Sequence, residues 1–77
     1  MALVSEEIRA EVERLTEDPI IQEMAEEVRP AVEVGAVDLE SWEVMRRASE
    51  VYRAEGGTQA RTIGGPAKAI QRLLEEG

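Results

Sequence analysis

Apolar positions recur every three to four residues along most of the chain, and no stretch alternates with period two. The clearest case is residues 38–55. At about 100° per residue, Trp42, Val44, Met45, Ala48, Val51 and Tyr52 fall on one half of a helical wheel. Glu40, Glu43, Arg46, Arg47, Glu50 and Arg53 fall on the other. Asp38 is in place to cap this helix, and Gly56-Gly57 to end it. Glu43 with Arg47, and Glu50 with Arg53, are spaced to pair on the solvent face, each contributing about 0.2–0.5 kcal/mol. Both aromatic residues lie on the apolar half, so this helix is expected to be the spine of the fold and to bury them.

Three further helices follow from the same pattern. Ile8, Val12 and Leu15 form a narrow stripe in a segment otherwise rich in charge, giving a helix over 5–15 with Ser5 as its cap and residues 1–4 as a loose terminus. Asp18-Pro19 restarts the chain as N-cap and first helical residue. From there Ile20, Ile21, Met24, Ala25, Val28, Ala31 and Val32 share an arc, and the apolar phase runs through Pro30. The expectation is a helix over 19–34, bent at Pro30, with two shorter helices as the alternative. Pro66 opens the last helix, over 66–76, with Ile70, Leu73 and Leu74 inside. The pattern predicts an all-α bundle of four short helices forming a single small domain, with residues 56–65 as a glycine-rich connector.

Length and composition then narrow the chemistry. A chain of 77 residues covers a small core, so oligomerisation or a protein partner is expected to complete it. There is no Cys and no His, which removes disulfides, thiol chemistry, the usual zinc sites and imidazole acid–base catalysis. No apolar run approaches a membrane span, and no signal-peptide pattern is present, so a cytoplasmic protein is the expectation. The net charge of −8 is uneven: residues 1–55 carry −9, and residues 56–74 carry +3 through Arg61, Lys68 and Arg72.

Candidate chemistry is thin. Glu23 with Glu26, and Glu40 with Glu43, have a spacing that binds metal in some helical bundles, but both pairs fall on polar faces. Serines and threonines have no His to activate them, and Lys68 stands on a polar face beside Arg72. The glycine-rich segment lacks the preceding strand and Lys-Ser/Thr ending of a phosphate loop. No catalytic residue, cofactor or metal ligand is therefore assigned.

Two functional expectations remain. The first is a non-enzymatic interaction, regulatory or accessory protein, contacting its partner or a second copy through Ile8, Val12, Leu15, Trp42 and Tyr52. The second rests on Ala60, Gly64, Ile70 and Leu73, whose spacing resembles the helix-turn-helix motif. That resemblance implies DNA binding through residues 58–74, with Arg61, Lys68 and Arg72 contacting phosphates or bases. The acidic remainder of the chain opposes it.

Overall fold

The computed structural model describes the backbone of residues 2–76 and the side chains from Glu6 to Glu76. It contains four α-helices: α1 (Ala2–Thr16), α2 (Pro19–Glu33), α3 (Trp42–Ala54) and α4 (Gly65–Glu76). No strand occurs among the described residues. No helix there is long and apolar enough to cross a membrane.

The α1–α2 junction follows from Asp18. Its carboxylate accepts a hydrogen bond from the Ile20 amide at 2.9 Å, and Pro19 takes the first helical position, where a missing N–H costs nothing. The helix then runs unbroken across Pro30, so the two-helix alternative does not hold. Pro30 is exposed, and the Glu26 carbonyl it leaves without an amide partner lies on the same polar face.

Two helix starts differ from expectation. Helix α1 begins at Ala2, ahead of Ser5, so Ser5 lies inside the helix instead of capping it. Residue 1 of the expected loose terminus lies outside the described residues, and 2–4 are helical. Helix α3 begins at Trp42, with Ser41 as its N-cap accepting from the Val44 amide at 3.2 Å. Asp38 instead holds a turn, accepting from the Glu40 amide at 3.0 Å. Residues 38–41 of the expected helix thus form a turn and the cap, which places Leu39 against the core.

The spine is α4, not α3. Helices α1, α2 and α3 each pack on α4, whereas α1 and α2 touch only lightly and α2 and α3 have no extensive contact with each other. The cause is residue size. Gly65, Pro66, Ala67, Ala69 and Ile70 are buried, and the small ones let three neighbouring backbones come close. Around α4 the core gathers Val12, Leu15, Ile21, Ala25, Tyr52, Ala60 and Ile70. Tyr52 is fully buried as expected, but Trp42, at the edge of the apolar half-wheel, is 62% exposed.

The surface ion pairs also differ. Arg46 meets Glu50 at 2.8 Å, Arg29 meets Glu26 at 2.8 Å, and Arg72 approaches Glu76 at 3.9 Å. The expected Glu43–Arg47 and Glu50–Arg53 pairs do not form. Arg53 turns to the connector and donates to the Ala60 carbonyl at 3.0 Å.

Candidate functional site: an apolar groove between the second and third helices

Because α2 and α3 lean chiefly on α4 and little on each other, a channel is left between them. Its floor is Ile70 of α4. One wall is Met24, Glu27 and Val28 of α2; the other is Val44, Arg47, Ala48 and Val51 of α3. Leu39, from the turn that replaces the first part of the expected helix, and Val37, just before it, also line it. The channel encloses about 390 Å³, within the size range of functional pockets. Its lining is apolar apart from one charge on each wall, Glu27 and Arg47, which make no ion pair with each other. Val51 on the rim is 37% exposed.

Four of the five residues expected to contact a partner are brought together in or against the chain's own core, and Trp42 is not among them. Leu15 and Tyr52 are fully buried and Val12 nearly so, packed within the chain's own core. In the folded chain they offer no surface to a partner, because the narrow stripe of α1 is absorbed by α4. Ile8 packs partly against that core. Trp42 alone of the five is broadly exposed, and it does not line the groove.

The three basic candidates separate as well. Lys68 and Arg72 of α4 line a second hollow, of about 510 Å³, with Arg9, Met45 and Gln71, and Glu40 and Glu75 interleave with these cations. Arg61 lies on the connector, in a different hollow with Glu7, Glu11 and Arg14. Residues 57–61 take no helical turn, so the first helix that the helix-turn-helix spacing requires is absent. The four glutamates with metal-binding spacing (Glu23, Glu26, Glu40 and Glu43) are all exposed, and no group of acidic side chains among the described residues is arranged to hold an ion.

The connector is held in place by buried polar groups that the sequence pattern did not single out. Glu11, 2% exposed, accepts from the Arg61 amide, from the Thr62 amide at 3.3 Å and from the Thr62 hydroxyl at 2.8 Å. Its carboxylate thus lies just ahead of the α4 N-terminus, where the helix dipole favours negative charge. The Tyr52 hydroxyl donates to the Asp18 carboxylate at 2.6 Å and accepts from the Gln59 amide at 3.4 Å. Burial, foremost, and then the bond to the Asp18 carboxylate push the Tyr52 phenol above its ordinary pKa. Gly57 lies over the Tyr52 ring so closely that a side-chain methyl would overlap it. One signal for Glu11 was present in the sequence. It sits three residues after Ile8 and four before Leu15, on the face that the stripe buries.

The fold and groove define a small all-α helical protein with a concave apolar face. No family of known proteins, no curated protein and no solved structure matches the chain.

Proposed function

We propose that the chain is a non-enzymatic interaction protein, regulatory or accessory in role, which works by covering the α2–α3 groove with the apolar face of a helix. The observation that carries this reading is the groove itself: aliphatic side chains on both walls and the floor, with a single charge on each rim. A channel between two helices lined in this way takes a third helix through residues spaced i, i+3, i+4 and i+7. The rim charges Glu27 and Arg47 fix its direction more than its affinity. Supporting the same reading, the large side chains that are fully buried among the described residues are few: Tyr52, Leu15, Ile21 and Pro66. A covered groove would enlarge a core of that size.

The reading is tested by titrating methyl-labelled protein with a stapled amphipathic peptide carrying leucines at i, i+3, i+4 and i+7. Saturable shifts are expected at Met24, Val28, Val44 and Val51, and they should vanish in Ala48→Trp, whose indole occupies the channel. Shifts scattered over the surface, or persisting in Ala48→Trp, overturn it.

A further inference from the structure

The two charges that line the groove bear on what covers it.

The rims carry opposite charges on opposite walls, Glu27 on α2 and Arg47 on α3. That arrangement is self-complementary. A twofold axis running along the groove brings α2 of one copy over α3 of the other, so Glu27 meets the partner's Arg47, and Arg47 meets the partner's Glu27. On the groove side a chain of net charge −8 thus offers its own copy a cation for each anion. Residues Met24, Val28, Val44 and Val51 of both copies then face each other as the centre of an intermolecular four-helix layer.

Resting on the reading of the groove as an interaction site, we propose that its occupant is a second copy of this chain, in a twofold homodimer that pairs Glu27 with Arg47 twice. Sedimentation equilibrium with charge-reversed variants tests this. Wild type should be a dimer. Glu27→Arg and Arg47→Glu should each weaken association by about tenfold or more, since symmetry makes every reversal count twice. The double variant Glu27→Arg/Arg47→Glu should recover the wild-type dissociation constant. Circular dichroism checks that each variant stays helical, which both exposed positions allow. A dimer untouched by the single reversals, or a double variant that fails to recover, overturns the proposed geometry. A wild-type chain that stays monomeric overturns the homodimer and leaves the groove to a helix of another protein, which the peptide titration decides on its own.

Discussion

Replacing Glu11 by Ala should be among the most damaging single changes in the molecule, although Glu is ordinarily a surface residue. The carboxylate is 2% exposed and takes three hydrogen bonds from the connector, two from backbone amides and one from the Thr62 hydroxyl. A hydrogen bond to a charged acceptor contributes about 1.5–3 kcal/mol, and a buried donor left unpaired costs about 1–3 kcal/mol. Water reaches part of the space vacated, and Ala favours the helix by a few tenths of a kcal/mol. The net loss is therefore set at about 2–3 kcal/mol, out of a total of about 4–11 kcal/mol for a chain this size. In a domain of this length the loss lowers Tm by roughly 10–20 °C. Thermal and urea unfolding followed by far-ultraviolet circular dichroism, at one fixed protein concentration, measures it. Glu11→Gln keeps an acceptor for the amides and lets the hydroxyl accept in turn, so it should lose about half as much. If Glu11→Ala unfolds within about 0.5 kcal/mol of wild type, the carboxylate does not anchor the connector, and the account of residues 57–64 is wrong.

Other outcomes follow from the same network. Tyr52→Phe removes the hydroxyl that donates to Asp18 and should cost about 1–2 kcal/mol by urea unfolding. The folded state holds the Tyr52 proton more tightly than the unfolded chain. Its stabilising contribution is thus intact below about pH 10 and is lost as pH rises beyond that, where the unfolded chain ionises first. In Tyr52→Phe this alkaline decline should be shallower, and an unchanged slope would count against the buried phenol. Gly57→Ala forces a methyl into the Tyr52 ring and should destabilise by about 1–3 kcal/mol, or release the connector, seen as faster amide exchange at Gln59 and Arg61. Trp42→Ala should stay within about 1 kcal/mol of wild type, and Tyr52→Ala should lose about 3–5 kcal/mol. Equal effects would mean that the 62% exposure of Trp42 does not describe the molecule in solution.

Local signals in the sequence read correctly at Asp18-Pro19 and across Pro30, but not at the Ser5 and Asp38 caps or the two expected ion pairs of α3. Asp18-Pro19 both starts α2 and specifies the bond that does so, within two residues. The apolar phase through Pro30 correctly outweighed the proline, because Pro30 points to solvent. At Asp38 two local options competed: its carboxylate holds the turn to Glu40, and the cap passes to Ser41, an equally good capping residue three positions on. Long-range roles were harder to read. Glu11 looks like one more surface acid until Thr62 is brought beside it from far along the chain. The central place of α4 was hidden for a related reason. Large apolar residues mark a strong amphipathic face, and α3 has them, but the helix that three others can approach is the one with Gly65, Ala67 and Ala69. The groove depends on that same feature, since it exists only because α2 and α3 share α4 as a floor.

The claim that the groove is covered is tested most directly by methyl spectra of the wild-type chain across a dilution series. The account predicts that Met24, Val28, Val44, Val51 and Ile70 shift together over the concentrations at which the mass falls from dimer to monomer, while Leu15 and Ile21, enclosed in the core, hold still. Methyl shifts gathering instead at Val34 or Ile63, or a moving indole signal from Trp42, the other large apolar side chains exposed among the described residues, would place the interface elsewhere and contradict it.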